Sequence, residues 1–335
     1  MLREEDRFMK IVICDYKDVL KRNLEYEKNI LLSGLKDAEI IIYEYNGDQN
    51  EFIEVIKDAD AILTAFLDIN KSVIDSCKKL KCISINAVGY DCVDLDEATK
   101  HNIAVCPIGE YCTQEVAEHA MSLILSLSRG IKHYINDIDK KNIWEYHSTT
   151  EIQRIEGQTL GIFGFGKIGR AVAKRALAFG MNVVAVDPYV KCEDAEKLNV
   201  KLVDAEYVWE NADIISNHMN QNSSNNNFFT INEFNKMKEK PIFINVGRGS
   251  SVNEDDLLIA LEEGLIRGAG LDVLAEENPD LEKNKLVGRE NVIITPHAAF
   301  YSQTSMRELQ RISCENIVYY LNGEKEKVSK IVHTF

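Results

Sequence analysis

The 335-residue chain carries 39 basic and 54 acidic side chains, a formal net charge of −15. That surplus argues against nucleic acid or an anionic membrane as the main partner, since either would repel it. The length exceeds what one hydrophobic core usually serves, domains clustering near about 100–150 residues, so two domains are expected.

No run approaches the roughly 18–20 apolar residues that cross a bilayer. The opening "MLREEDRF" is charged, with no signal-type apolar core behind it, and reads as an extension ahead of a strand beginning near Met9. The eight cysteines form neither a CxxC pair nor a Cys/His cluster at zinc spacing, so no metal is expected. Cys14 and Cys82 lie in apolar runs where a thiol acts as a small buried hydrophobe, which favours a reducing cytoplasm.

In chain order, "KIVIC", "EIIIYEY", "DAILTAF", "KCISINAV" and "NIAVCP" are short β-branched runs separated by amphipathic stretches. The rhythm predicts parallel strands joined by crossover helices, with both sheet faces covered. A helix is expected over residues 113–135, opened by Thr113 with Glu115 in its first turn. Its centre, "HAMSLILSLS", is apolar or small on nearly every face and should be buried, in part against a second subunit.

After the polar connector "EYHSTTEIQRIEG" the pattern restarts with "TLGIFGFGKIGRAVAKRALAFGMNVVAVDPY", followed by "ADIISNH", "KPIFINVGRG", "IRGAGLDV" and "NVIITPH". "NEDDLLIALEEG" is a helix candidate, and "NQNSSNNN" reads as a surface loop. A last amphipathic helix should end at Asn322 and Gly323. The fold class is therefore α/β, with two doubly wound parallel-sheet units.

Gly164, Gly166 and Gly169 make G-x-G-x-x-G directly after a strand and before a helix. Such a turn uses its first glycine for the bend, its second to let a pyrophosphate approach, and its third for helix–strand packing. The helix N-terminus then offers unpaired N–H groups to the phosphates. Asp187 ends the next strand, eighteen residues after Gly169, where an acid can take the ribose hydroxyls of an adenosine. Its charge would repel a 2′-phosphate and neither Pro188 nor Tyr189 counters it, so NAD is expected rather than NADP.

Three later segments each end an apolar run with a chemically able side chain: Arg248 in "FINVGRGSSV", Asp272 and Glu277 in "GAGLDVLAEENP", and His297 in "IITPHAAF". Singly, they read as a turn arginine, loop acids and a satisfied loop histidine. Following a dinucleotide turn, they read as strand-end groups gathered at one ligand site.

This ordered set resembles the NAD-dependent D-2-hydroxyacid dehydrogenase family, with "PIGEYCTQEVAEH" and "TPHAAFYS" most similar to its C-terminal-binding-protein-like branch. The resemblance implies a Rossmann-like NAD-binding domain, 108–300, inserted into a flavodoxin-like substrate domain, 1–107 with 301–335, and a homodimer. It implies that Phe165, Lys167 and Ile168 join the three glycines at the cofactor, with Asp187, His218, Val246, Gly247 and Asp272. It implies a catalytic set of Arg248 for the substrate's oxyanions, His297 as proton donor and Glu277 to hold that histidine, with the Val88 and Gly89 amides at the substrate carboxylate.

Departures stand beside it. Ala87-Val88-Gly89 replaces the family's usual G-x-G, Asp91-Cys92 its Asp-Asn, and "HMNQNSSNNNFF" lacks the usual proline and threonine. Phe66 and Phe300 suggest a 2-oxo acid with an apolar side chain. Two other readings are open: an NAD(H)-sensing, protein-binding module of the same fold, and a short 3-phosphoglycerate dehydrogenase. Turnover of 2-oxo acids with NADH separates the binding module from the enzymes.

Overall fold

The structure, a computed structural model, describes residues 8–149, 152–222 and 224–332. The extension read in residues 1–8 lies outside them apart from Phe8. The chain divides into two compact units, Met1–Tyr111 with Ser302–Phe335, and Cys112–Tyr301.

The first unit is a sheet of β1 (Lys10–Tyr16), β2 (Glu39–Tyr45), β3 (Ala61–Thr64), β4 (Cys82–Ile85) and β5 (Ala104–Cys106). They run parallel in the order β2-β1-β3-β4-β5. Successive strand side chains face opposite ways, so Val12 and Cys14 join Ile62 and Ile83 in one core. Ile11 and Ile13 join Leu63 and Cys82 in the other. The final helix, Gln303–Leu321, lays Cys314, Ile317 and Val318 on that second face. It starts at a capping box between Ser302 and Ser305 and stops at Asn322, with Gly323 at φ +80°. Each large side chain so buried stabilises the fold by about 1.5–3 kcal/mol.

The second unit holds β6 (Thr159–Phe163), β7 (Asn182–Val186), β8 (Lys201–Leu202), β9 (Ile214–Asn217), β10 (Ile242–Asn245), β11 (Gly268–Leu271) and β12 (Val292–Ile294). Their order is β12-β11-β10-β9-β6-β7-β8, every pair parallel. The order reverses at β6, between β7 and β9, which opens a crevice at the strands' carboxyl ends. Both expected parallel α/β units are present; the two-residue edge strand β8 was too short to show a periodicity.

The helix expected over 113–135 is in fact two, Thr113–Ser128 and Ile131–Asn136. Gly130 separates them at φ +61°, a left-handed conformation that closes a helix and that glycine adopts without a Cβ penalty. Thr113 is the first helical residue and not the cap; Cys112 holds the cap position. The apolar centre is buried as expected, with Val116, Ala120, Leu123 and Ile124 in one cluster with Ile162 and Ile244 of the unit's own sheet.

Candidate active site

The glycine turn leaves β6 at Gly164, whose φ is +87°. A Cβ at 164 would lie 2.8 Å from the backbone of His218 and Met219, and one at 169 would lie 2.3 Å from the Gly164 carbonyl oxygen. At Gly166 it would meet nothing within 4 Å. Packing thus requires two of the glycines, while the third keeps open space in front of the helix Lys167–Ala178. That cradle fits a dinucleotide pyrophosphate facing helix N–H groups.

Gly166 and Lys167 are exposed, Ile168 is half-buried and the Phe165 side chain is buried. Asp187, just past β7, accepts from the Phe165 N–H at 2.8 Å with Oδ2 and from the Tyr189 N–H at 2.9 Å with Oδ1. The carboxylate therefore sits beside the turn at the end of the neighbouring strand. His218 follows β9, its Nε2 2.8 Å from Ser216 Oγ and its Nδ1 buried without a partner among the described residues. Burial pushes this ring down to about 4, so it is neutral near pH 7.

Beyond β10, Val246 and Gly247 are buried and Arg248 is exposed, its Nη1 donating to the Gly247 carbonyl at 2.9 Å. A Cβ at Gly247 would lie 2.9 Å from Met219 O, so the chain there can only be this thin. The Arg248 carbonyl accepts from Asn245 Nδ2 at 3.0 Å and Ser251 Oγ at 2.6 Å. Asn217 Nδ2 donates to Asn245 Oδ1 at 3.0 Å and to Ser251 Oγ at 2.8 Å. This buried trio fixes the Arg248 backbone and was missed in the sequence. Its only signal was an asparagine ending each of two strands, Asn217 and Asn245, which pair in register.

His297 stands past β12 at φ +48°, left-handed for a residue with a Cβ, at a cost of about 1–3 kcal/mol. The Asp272 backbone and side chain hold it there. The His297 N–H donates to the Asp272 carbonyl at 2.8 Å. The Asp272 carboxylate, 1% exposed, accepts from Thr295 Oγ1 at 2.5 Å and from the N–H groups of Ala298 and Ala299 at 2.9 Å. His119 Nε2 lies 2.9 Å from Thr295 Oγ1, a second support that the sequence reading lacked.

Glu277 Oε2 sits 2.9 Å from His297 Nδ1, with side-chain exposures of 66% and 40%. A donor bond at Nδ1 leaves Nε2 as the nitrogen able to exchange a proton. The Phe300 ring stands edge-on to the imidazole, centroids 6.2 Å apart.

In the first unit, Val88 and Gly89 follow β4, exposed, and neither amide donates a hydrogen bond among the described residues. Phe66, past β3, is 60% exposed. Asp75, Glu97 and His101 bring ligand-type atoms within 4.8 Å of one another. Lys100 and Lys71, however, already pair with Glu97 and push its carboxyl down to about 2.

The D-isomer specific 2-hydroxyacid dehydrogenase NAD-binding domain profile matches residues 121–299. A D-3-phosphoglycerate dehydrogenase of Methanocaldococcus jannaschii is 35% identical over 278 residues, covering 82% of this chain and 52% of the relative, so the chain spans about half of that protein. A hydroxypyruvate reductase of Blautia hydrogenotrophica is 30% identical over 328 residues, 96% of this chain and 99% of the relative. The crystal structure of D-lactate dehydrogenase with NAD+ from Lactobacillus jensenii matches with a TM-score of 0.81 at 28% identity, covering 97% of this chain and 100% of that one. With a glycine cradle, an acid at the next strand end and the family profile on the same unit, the chain belongs to the NAD-dependent D-2-hydroxyacid dehydrogenase family.

Proposed function

We propose that this protein interconverts a 2-oxo acid and its D-2-hydroxy acid with NAD(H), and that the acid carries an apolar side chain. The observation that carries the chemistry is the His297–Glu277 pair, 2.9 Å apart, with Nε2 left for the substrate. The cofactor supplies the hydride that reaches C2. His297 delivers the Nε2 proton to the forming alkoxide and takes it back in oxidation, while Glu277 keeps Nδ1–H occupied and the ring oriented. Arg248 offers a permanently charged planar fork to the carboxylate and carbonyl oxygens, and the Val88 and Gly89 amides, which donate no hydrogen bond among the described residues, are suited to receive a carboxylate.

Asp187 takes the adenosine ribose hydroxyls, and Gly164 to Gly169, with Phe165, Lys167 and Ile168, form the phosphate turn. His218, Val246 and Gly247 line the cofactor, and Asp272 Oδ2, with a single donor, retains a lone pair for the carboxamide N–H. Phe66 and Phe300 give the preference for an apolar side chain. The experiment is an NADH-oxidation screen over 2-oxo acids. A higher kcat/KM for 2-oxo-4-methylpentanoate than for glyoxylate or 3-phosphohydroxypyruvate is expected, and the reverse ranking refutes the apolar preference. Exposed Ile135, Ile138, Ile143, Trp144 and Tyr146 support a homodimer built on the second unit.

A further inference from the structure

The first unit's strand order reverses at β1, between β2 and β3, and the carboxyl ends of strands at such a reversal form the crevice where open parallel sheets bind ligands. On β1 there, Asp15 is 0% exposed, a carboxylate ending the apolar run Ile11, Val12, Ile13 and Cys14. Burying a charge is expensive unless it is well hydrogen-bonded, and folding of the strand would be served better by another aliphatic residue.

The partners say what the acid holds. Asp15 Oδ2 accepts from the Ala65 N–H at 2.5 Å and from Thr64 Oγ1 at 3.3 Å, and Oδ1 accepts from the Tyr16 N–H at 3.0 Å. Among the described residues no lysine, arginine or histidine pairs with it. Thr64 Oγ1 in turn accepts from the Leu67 N–H at 3.3 Å, and Cys92 Sγ lies 3.7 Å from the Ala65 carbonyl oxygen. Residues 64–67 are thus tied to the end of β1. Phe66 stands 60% exposed between Ala65 at 5% and Leu67 at 1%. The adjacent strand β4 pairs with β3 up to Thr64 and Ile85, so the segments carrying Phe66 and Val88–Gly89 leave neighbouring strands at the same end of the sheet.

We propose that Asp15 is a positioning residue for substrate selection: through the Ala65 amide and the Thr64 hydroxyl it fixes Phe66 at the same end of the sheet as the Val88–Gly89 loop, and so sets which 2-oxo acid side chains are accepted. This rests on the reading that Val88, Gly89 and Phe66 face the substrate. Asp15 transfers no proton in the reaction and acts only through this loop.

Asp15→Asn keeps the size but turns an NH2 toward one of the backbone donors. The KM for 2-oxo-4-methylpentanoate should rise about tenfold, with kcat and the NADH KM within about twofold, as when buried donors lose an acceptor. Glyoxylate, which has no side chain to reach Phe66, should be affected less, so the preference between the two acids collapses. Thr64→Val, which removes the hydroxyl relay without changing size, should move the preference the same way and serves if Asp15→Asn does not fold. Amide hydrogen exchange of residues 64–67 should speed up in both variants, with β1 to β5 otherwise protected.

A lower Tm with unchanged preference and unchanged exchange at 64–67 would reduce Asp15 to a fold-stability role and overturn the proposal. Wild-type protein inert toward every 2-oxo acid would remove the functional reading, and the selection role with it. Unchanged exchange in a working enzyme overturns the Asp15 assignment alone.

Discussion

His297 is held in a left-handed backbone by its bond to the Asp272 carbonyl, and its ring is held by Glu277. Strain of this kind persists only where neighbours over-determine it. Glu277→Gln preserves a hydrogen bond but removes the charge facing the ring. Steady-state reduction should fall about ten- to a hundredfold in kcat for Glu277→Gln and further for His297→Asn, general acid catalysis being worth about a hundred- to ten-thousandfold. NADH binding, read by fluorescence, should survive both changes.

His218 gives a different residue-scale expectation. Its folded value, about 4, lies below the ordinary 6.5 because the ring is buried. The unfolded chain therefore binds the proton first as pH falls. The stability this neutral ring contributes is fully present above pH 6.5 and is lost as pH drops toward about 4. Thermal melts across that window should show a smaller pH dependence in His218→Asn than in wild type; an equal dependence would place the titration elsewhere.

At the scale of the element, the strand–turn–helix from β6 separates glycines that packing needs from one, Gly166, that packing does not. Gly169→Ala drives a Cβ against the Gly164 carbonyl oxygen, 2.3 Å away, and should cost about 1–3 kcal/mol in urea unfolding, as overpacking does. Gly166→Ala meets nothing within 4 Å and should melt like wild type, yet weaken NADH, since its methyl fills the space left for phosphate. Calorimetry on the two variants checks the contrast, and a Gly166→Ala protein with wild-type NADH affinity would count against this cradle. The broken helix shows where a periodic pattern misleads: "SLSRGIKHYI" keeps helical spacing across Gly130, but the left-handed glycine turns the chain instead of continuing it.

For the whole molecule, the densest run of exposed apolar side chains among the described residues lies between Ile131 and Tyr146, with Trp144 87% and Tyr146 88% exposed. Such side chains are where the proposed homodimer would form its contact. Sedimentation should give a dimer for wild type and a lighter species for Ile138→Asp combined with Trp144→Ser; a wild-type monomer refutes that reading. No described helix is long and apolar enough to cross a membrane.

Much of this molecule was legible in the chain itself. Continuous apolar runs and glycine spacing are local properties, so the strands, the parallel architecture, the dinucleotide turn and the strand-end Asp187, Arg248 and His297 could be read from neighbours in sequence. The supports of that site were not. Asn217 with Asn245 and Ser251, and His119 with Thr295, join residues distant in the chain by as many as 176 positions. A polar side chain's partner depends on strand order and register, and only the folded sheet decides those. The sequence by itself determined which groups could do chemistry; the tertiary structure decided which buried hydrogen bonds hold them in place, because a desolvated polar group is stable only where another part of the fold brings its partner.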